Sequence, residues 1–415
     1  MALMLKNARL IDPQIGLDEV ADILIRDGKI VEVGHDLTME KGVERDLSGK
    51  IVTPGLVDMH VHFRDPGQEQ KEDIASGSRA AAHGGFTAVC TMPNTSPVVD
   101  DAVAVEYVKA RAAAVGKCRV VVAGACSKDL KGEVLSDMGD MYAHGAPVFT
   151  DDGHGIQDAG MMRRVMDYAN QFDTVVMAHC QDDSLVADGQ VNEGVASTRL
   201  GMVGWPAEGE ELEIARDIAL CRLTGCPLHI QHITTKRGLD LVAAAKAEGL
   251  PVTCEVTPHH MFLTEDAITA EYQTALKVNP PLRTAEDAAA LIKKREEERK
   301  QREEKAEKLC AEGEALLEKA KAETAETDGN GWKAAAEKFD AALVEIPCYT
   351  RAALGFWRAK TRYGEDLYGE NRFPQLIRRL SLLDNIGSIR LLYCYPDAFS
   401  CLLYTSPSPR DKRQS

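Results

Sequence analysis

The sequence lacks any apolar run long enough to cross a membrane, which takes about 18 consecutive apolar residues. It also lacks a surplus of basic residues, because its formal net charge is -16. Binding to phosphate backbones or to an anionic membrane needs a basic surface, so the composition argues against both partners. Lys6 and Arg9 interrupt the stretch where an export signal would need apolar residues. We therefore expect a cytoplasmic protein with neither a nucleic-acid nor a membrane partner.

Paired cysteines are also missing. The sequence has 11 cysteines, but none forms a CxxC pair. This scatter argues against a disulfide framework and against a cysteine zinc site. It predicts buried free thiols in a reducing compartment.

What is present changes in character along the chain. Residues 1–50 hold short, partly alternating apolar runs broken by Asp-Gly and Pro, which predict a small β-sandwich part. Residues 51–292 alternate seven strand-like runs with helical patterns, which indicates a parallel α/β fold. An eight-stranded (β/α)8 barrel and an open doubly wound sheet both fit this alternation. Polar residues at the ends of many different strands favour the barrel.

The C-terminal part differs from the barrel pattern. Residues 293–323 mix Lys and Arg with Glu, which is typical of a solvated helix carrying ion pairs. Residues 332–360 resemble a helical hairpin of the tetratricopeptide kind. We therefore expect an unrelated helical tail over 293–360, followed by separate segments at 361–400 and 401–415.

The chemistry is concentrated at the strand ends. His60 and His62 lie two residues apart in VDMHVH, so both side chains should face the same side of a strand and could bind a divalent metal such as zinc. Asp152 follows the run PVFT, and its neighbour Asp151 has the opposite parity. His179 ends TVVMAHC. One bridging carboxylate and several imidazoles could form a two-metal site that activates water against an amide.

Each of these residues also has an ordinary structural interpretation. A strand-end aspartate often caps a helix, and a lone histidine after an apolar strand is often a hydrogen-bonded core residue. His229 and His232 lie three apart in PLHIQHI, so at most one is expected to face the barrel interior. His259 and His260 are interpreted as structural or supporting residues.

Several motifs resemble a known family over about residues 1–292. VDMHVHFRDPG, FTAVCTMPNTSPVVD, FTDDG, MAHC, HIQHI, EVTPHH and KVNPPLR resemble the dihydroorotases of the long bacterial type, in the amidohydrolase superfamily. The resemblance implies a TIM barrel fused to a small β part. It also implies a zinc-dependent cyclic amide hydrolase that reversibly converts N-carbamoyl-L-aspartate to L-dihydroorotate in pyrimidine biosynthesis. A homodimer or an aspartate transcarbamoylase partner would be the expected assembly.

The resemblance also assigns roles to individual residues. The metal ligands would be His60, His62, Asp152, His179 and His232. The residues that contact substrate would be His62, Arg64, Asn94 and Asn279, with the Arg64 guanidinium binding a carboxylate. Related hydantoin and dihydropyrimidine hydrolases often bridge their metals with a carboxylated lysine, whereas FTDDG offers Asp152. Two alternatives stay open: a hydantoinase or allantoinase type of hydrolase, and a non-catalytic partner of aspartate transcarbamoylase.

The family pattern breaks after the seventh strand. The resemblance requires an eighth strand ending in an aspartate that binds metal and moves a proton, followed by His-Ala-Pro. All histidines lie at or before His260, so this motif is absent and the catalytic residue is unknown. Residues 361–397 instead resemble part of a radical-SAM methylthiotransferase, and residues 401–411 resemble a translated sequencing adapter. We expect a barrel truncated after seven strands, impaired activity, a chimeric C-terminal part and an aggregation-prone product.

Overall fold

The computed structural model describes residues 2–12, 17–322, 334–335, 337–339 and 341–342. Two compact units are present: one includes Met1–Pro54 and the other is Gly55–Glu296. The segments expected at 361–400 and 401–415 lie outside the described residues, as does most of the expected hairpin at 332–360.

The N-terminal unit contains one mixed sheet built from five strands. These are β1 (Ala2–Asp12), β2 (Leu17–Arg26), β3 (Lys29–Gly34), β4 (Val43–Asp46) and β5 (Ile51–Val52). The order is β3-β2-β1-β4, with β5 also pairing with β1, and the second sheet that a β-sandwich would need is not among the described residues before Gly55. Asp27 and Gly28 both have positive φ in the hairpin between β2 and β3, the conformation that an Asp-Gly turn favours.

The second unit has the alternation that the sequence predicts. Its strands are β6 (Leu56–Val61), β7 (Phe86–Thr91), β8 (Arg119–Gly124), β9 (Val148–Thr150), β10 (Val175–Ala178), β11 (Val191–Asn192), β12 (Gly204–Trp205), β13 (Leu228–Ile230) and β14 (Val252–Cys254). Its helices are α1 (Ile74–His83), α2 (Ala102–Val115), α3 (Met138–Ala143), α4 (Ala159–Ala169), α5 (Asp183–Val186), α6 (Val195–Leu200), α7 (Glu208–Thr224), α8 (Lys236–Ala247), α9 (Pro258–Phe262) and the start of α10 (Ala285–Ala322).

Seven of these strands form one parallel sheet in the order β14-β13-β10-β9-β8-β7-β6. This order confirms the prediction of a parallel barrel truncated after its seventh strand. The two ends of the sheet are β6 and β14, and among the described residues no eighth strand pairs with either. The separate pair β11 and β12 lies in the long segment between β10 and α7.

The two faces of the parallel sheet carry different residues. Val89, Val122, Phe149, Val176 and Leu228 belong to the large core that also contains helix residues. A smaller cluster joins strand residues of the opposite parity and Met92, which directly follows β7: Cys90, Met92, Ala123 and Met177, with Val121, Val148 and Val175 against them. Burial on both faces explains why these strands are continuous apolar runs.

Helix α10 begins earlier than the sequence predicted. Its first turns belong to the barrel, because Leu291 is buried in the large core and Ala288 is also buried. The charged stretch predicted to begin at residue 293 is therefore a continuation of a barrel helix, not a new element. None of the helices that the structure describes is long and apolar enough to cross a membrane.

Candidate metal centre

Four strands of the parallel sheet bring polar side chains to one end of it: β13, β10 and β9 are neighbours, and β6 forms the far edge. His60 lies near the end of β6, and His62 follows that strand directly. Asp152, His179 and His232 lie one or two residues beyond the ends of β9, β10 and β13. Because parallel strands end on the same side, all five side chains reach the C-terminal face, where such barrels carry their active sites.

The carboxylate of Asp152 lies at the centre of these imidazoles. Its Oδ1 is 3.4 Å from His60 Nε2, 3.5 Å from His179 Nδ1 and 3.5 Å from His232 Nε2. Its Oδ2 is 3.5 Å from His62 Nε2. His60, Asp152 and His232 each present one ligand atom within 4.8 Å of the others. The structure thus brings together all five residues proposed from the sequence.

These separations fit a metal better than they fit hydrogen bonds. Hydrogen bonds between nitrogen and oxygen usually measure about 2.7–3.2 Å. In a tetrahedral zinc site with bonds of ~2.0–2.1 Å, neighbouring ligand atoms lie about 3.3–3.4 Å apart. One pair is closer, because His179 Nδ1 and His232 Nε2 are 2.8 Å apart. Two imidazole nitrogens and a carboxylate oxygen facing one another form a donor set that suits a divalent cation.

Hydrogen bonds on the outer ring nitrogens determine which nitrogens are left for a metal. Gln181 donates from Nε2 to Asp183, so its Oε1 is the atom that accepts from His179 Nε2 at 3.0 Å. His179 therefore presents Nδ1 to the cluster. His60 Nδ1 donates to Glu255 Oε1 at 2.6 Å, which leaves Nε2 facing Asp152. This arrangement of an outer acceptor behind each imidazole is common in protein metal sites.

Asn94 connects the expected substrate residues to the cluster. Its Oδ1 accepts from Arg64 Nη1 at 2.8 Å and from His62 Nδ1 at 3.1 Å. Its Nδ2 donates to Asp152 Oδ2 at 3.0 Å. Arg64 Nη1 also donates to the Asn94 carbonyl at 3.1 Å. The Nε and Nη2 groups of Arg64 have no partner among the residues that the structure describes.

Asn279 is the most distant of the expected substrate residues. Its Nδ2 donates to Gln181 Oε1 at 3.3 Å, and the same oxygen contacts His179 Nε2.

The electrostatics follow from burial and from the central carboxylate. Burial lowers the pKa of His60, but the neighbouring carboxylates of Asp152 and Glu255 outweigh it and raise the pKa to about 10. Burial also dominates at His62 and His232 and lowers the pKa of each to about 4. Burial raises the pKa of Asp152, but the surrounding imidazoles reverse this and hold it well below its usual range. The buried carboxylate therefore stays ionised and available to a cation.

The expectation that at most one of His229 and His232 faces the interior is wrong. Strand β13 ends at Ile230, so His232 lies outside the regular alternation, and its φ of 32° turns the chain there. His229 Nε2 lies 3.4 Å from Glu255 Oε2, and the His232 backbone N–H lies 3.4 Å from Glu255 Oε1. The expectation failed because it applied the alternation of side chains within a strand to His232, which lies beyond the end of β13.

Two other sequence interpretations agree with the structure. Asp151 accepts hydrogen bonds from the backbone N–H groups of Cys126 and Ser127, at 2.8 and 3.0 Å, and faces away from the cluster, as its opposite parity predicts. His260 has a supporting position, because Nε2 contacts the Pro280 carbonyl at 2.9 Å and Nδ1 contacts Thr257 Oγ1 at 2.7 Å.

Sequence reasoning missed Glu255, Gln181 and Gln231. Glu255 directly follows β14, so its position at a strand end was a signal equal to that of Asp152. Gln231 was also visible at the end of β13, and it accepts from Thr150 Oγ1 at 2.9 Å inside the sheet. All three are polar residues at most three positions beyond the end of a strand, and their partners are distant in sequence or were not expected to need support.

Comparison with known proteins agrees with this geometry. The model of the dihydro-orotase-like family matches residues 49–238. A dihydroorotase of Geobacter metallireducens is 47% identical over 292 residues, which cover 70% of this chain and 69% of that protein. A dihydroorotase of Syntrophotalea carbinolica is 46% identical over 291 residues, covering 70% of this chain and 68% of the relative.

Solved structures show the same fold. The L-hydantoinase (dihydropyrimidinase) of Arthrobacter aurescens superposes with a TM-score of 0.61 at 26% identity, and a D-hydantoinase superposes with 0.60 at 25%. Each alignment covers 70% of this chain but 65% of the hydantoinase, so the chain spans slightly less than two thirds of those proteins.

The fold and these similarities define a cyclic amide hydrolase of the amidohydrolase superfamily. Within that class, the extent and identity of the match to the bacterial relatives are decisive. The chain belongs to the dihydroorotase family.

Proposed function

We propose that this site serves the dihydroorotase reaction, the reversible cyclisation of N-carbamoyl-L-aspartate to L-dihydroorotate in pyrimidine biosynthesis. One observation carries the proposal: the Asp152 carboxylate lies 3.4–3.5 Å from a nitrogen of each of four imidazoles. His60, His62, Asp152, His179 and His232 would together hold one or two divalent ions, and zinc is the expected metal. The chemistry that such ions supply is Lewis acidity toward an amide carbonyl and activation of water near neutral pH.

The residues around the cluster would orient a carboxylated substrate. Arg64 is half-buried, and its Nε and Nη2 groups could form a forked pair with a carboxylate. Asn94 fixes Arg64 from one side and contacts Asp152 from the other. Asn279 would line the pocket from the loop before Pro280, near Gln181. Carboxylate binding by Arg64 supports a substrate derived from aspartate.

Turnover by this chain would be impaired. The sequence has no aspartate followed by His-Ala-Pro after the seventh strand, and the sheet of the described residues ends at β14. A positioned group that accepts or donates a proton typically contributes about 100- to 10,000-fold to the rate. We therefore expect the chain to turn over substrate more slowly than a complete relative, by a factor in that range.

The cytoplasmic location and the homodimer or aspartate transcarbamoylase partner stay predictions from the sequence.

Metal counting and a substrate panel test this proposal. The purified chain would be loaded with zinc, and the dihydroorotase of Geobacter metallireducens would serve as the complete control. We expect bound zinc together with weak, measurable conversion of dihydroorotate. Zinc binding with no preference for dihydroorotate would contradict the substrate assignment, and absence of zinc binding would contradict the metal site.

A hydantoinase reaction is the second candidate, favoured by the superposition on hydantoinases. Hydantoin and dihydrouracil lack the carboxylate that Arg64 would bind. Arg64→Gln should therefore weaken dihydroorotate binding and leave hydantoin binding unchanged, which separates the two reactions. A non-catalytic role as a partner protein would instead fit a chain that binds no zinc.

A further inference from the structure

We propose that Glu255 is a positioning residue for the metal centre, which fixes the tautomer and orientation of His60 and thereby raises metal affinity. The inference rests on the proposed function, because it assumes that His60 is a ligand. The inference adds a carboxylate to the ligands at the other strand ends. Glu255 directly follows β14, the seventh strand of the parallel sheet, and would not contact the metal itself.

The ring of His60 is held from both sides. Glu255 Oε1 lies 2.6 Å from Nδ1, while Nε2 on the other side of the ring faces Asp152 at 3.4 Å. The side chains of His60 and Glu255 are 11% and 12% exposed. An ionised carboxylate only accepts hydrogen bonds, so it requires the proton on Nδ1 and keeps Nε2 directed at the cluster.

Glu255 is itself fixed in place. Its backbone N–H donates to the Ile230 carbonyl at 3.0 Å, and its carbonyl accepts from the Ile233 N–H at 2.9 Å. These two bonds hold it against the segment that carries His232. Its second oxygen lies 3.4 Å from Nε2 of His229, whose Nδ1 contacts Thr253 Oγ1 at 2.8 Å. The carboxylate is therefore preorganised by backbone and side-chain contacts before any metal binds.

Two other roles for Glu255 fit the contacts less well. A direct ligand role would require Oε1 to leave the 2.6 Å contact with His60 Nδ1. A purely structural role, as counterion to a buried imidazolium, would stabilise the fold and leave metal affinity unaffected. Outer carboxylates that hold ligand histidines typically contribute 10- to 100-fold to metal affinity, so the positioning and structural roles differ in a measurable way.

The test is the zinc affinity of Glu255→Gln, measured on the full chain by competition with a chromophoric chelator. Glu211→Gln is the matched control, because Glu211 is also 12% exposed but pairs with Arg237 at 3.6 Å. We expect about 10- to 100-fold weaker zinc binding for Glu255→Gln and unchanged binding for Glu211→Gln. Nitrogen-15 NMR of the His60 ring should show a proton held on Nδ1 in the parent chain. In the Glu255→Gln variant, that proton should no longer be held on one nitrogen.

His229 supplies a second, independent measurement. If it acts through Glu255, His229→Gln should weaken zinc binding in the parent and have no further effect in the Glu255→Gln background. If Glu255→Gln fails to fold, Glu255→Asp provides the same test, since its shorter carboxylate should also weaken binding.

The outcomes separate this inference from the proposed function. If the parent chain binds no zinc, the metal centre itself is wrong and the inference falls with it. If the parent binds zinc and Glu255→Gln or Glu255→Asp binds it equally well, only the role of Glu255 is overturned. Equal losses in Glu255→Gln and Glu211→Gln would also overturn it, because they would indicate general destabilisation.

Discussion

Two buried polar clusters in the barrel unit contrast sharply. Around Asp152, four imidazole nitrogens lie 3.4–3.5 Å from one carboxylate. Around Arg283, the guanidinium donates to Thr234 Oγ1 at 3.0 Å, Asn192 Oδ1 at 2.9 Å and the Trp205 carbonyl at 3.0 Å. Glu210 provides the opposite charge at 3.5 Å.

The difference separates a structural cluster from one that we propose is functional. The Arg283 cluster satisfies itself, because charges and hydrogen-bond donors are matched within it. The Asp152 cluster instead gathers several ring nitrogens and a carboxylate, ligand types that a divalent cation would bind together. Burial alone does not distinguish the two, since Arg283 and Glu210 are 2% and 3% exposed and Asp152 is 3% exposed at its side chain. The following predictions test this contrast.

Asp152→Asn should have the largest effect on metal binding. The change removes the negative charge shared by four imidazoles, so we expect a loss beyond the roughly 100-fold that outer residues reach. Equilibrium dialysis against zinc measures it. Asp151→Asn, at the neighbouring carboxylate that faces Cys126 and Ser127, is the control for local damage. Retained zinc affinity in Asp152→Asn would remove the basis of the contrast.

Arg283→Met should mainly reduce stability. It leaves the Glu210 carboxylate buried without its cation, which typically costs about 3–5 kcal/mol in the free energy of unfolding. Urea denaturation measures the loss, and zinc affinity of the folded protein should not change. The double variant Arg283→Met/Glu210→Gln should recover part of the loss. A large drop in zinc affinity without loss of stability would show that the two clusters are not separate.

His260 should make the barrel sensitive to acid. Burial lowers its pKa from 6.5 to about 3, so folding favours the neutral ring. The stabilisation is therefore complete above pH 6.5 and is lost as the pH falls from 6.5 toward 3. Between pH 7 and pH 5 the loss amounts to about 2 kcal/mol.

Metal-free His260→Gln should lack this part of the acid dependence in chemical denaturation. His144→Gln is the control. A hydrogen bond to the Asp140 carbonyl raises the pKa of His144, so its contribution to stability has the opposite pH dependence and is lost as the pH rises. An identical acid dependence in His260→Gln and the parent would refute the role of His260.

The smallest effect on stability should come from the edge of the sheet. Val57 and Met59 on β6 are 63% and 48% exposed. An unpaired edge with apolar side chains favours association between chains. Val57→Lys should change the free energy of unfolding by less than about 0.5 kcal/mol but reduce aggregation in light scattering. Equal aggregation of variant and parent would point to another surface.

Much of the barrel was predictable from periodicity, and much of the site was not. The seven strand-like runs and helices such as α1, α4 and α8 are clear because each has a continuous or periodic apolar pattern. Short elements such as α5 and the pair β11 and β12 have no such pattern, since two to four residues cannot express a period. The start of α10 was misplaced because its charged later turns concealed the buried first ones.

Within the site, the ligand types were visible but their geometry was not. His232 was chosen from its motif, although its orientation depends on a positive φ that no alternation rule predicts. Glu255 was overlooked because its partner, His60, lies 195 residues away. A contact between residues at the two edge strands of the sheet depends on how the whole sheet is arranged in space and not on local sequence.

The side-chain amide of Asn94 links the proposed metal site to the proposed carboxylate site. Since one oxygen holds both Arg64 and His62 while the nitrogen holds Asp152, a rotated amide would break all three contacts together. The proposed substrate side and the proposed metal side of the centre thus depend on the orientation of one amide. Thermodynamic reciprocity then demands that any factor by which zinc strengthens carboxylate binding equals the factor by which the carboxylate strengthens zinc binding.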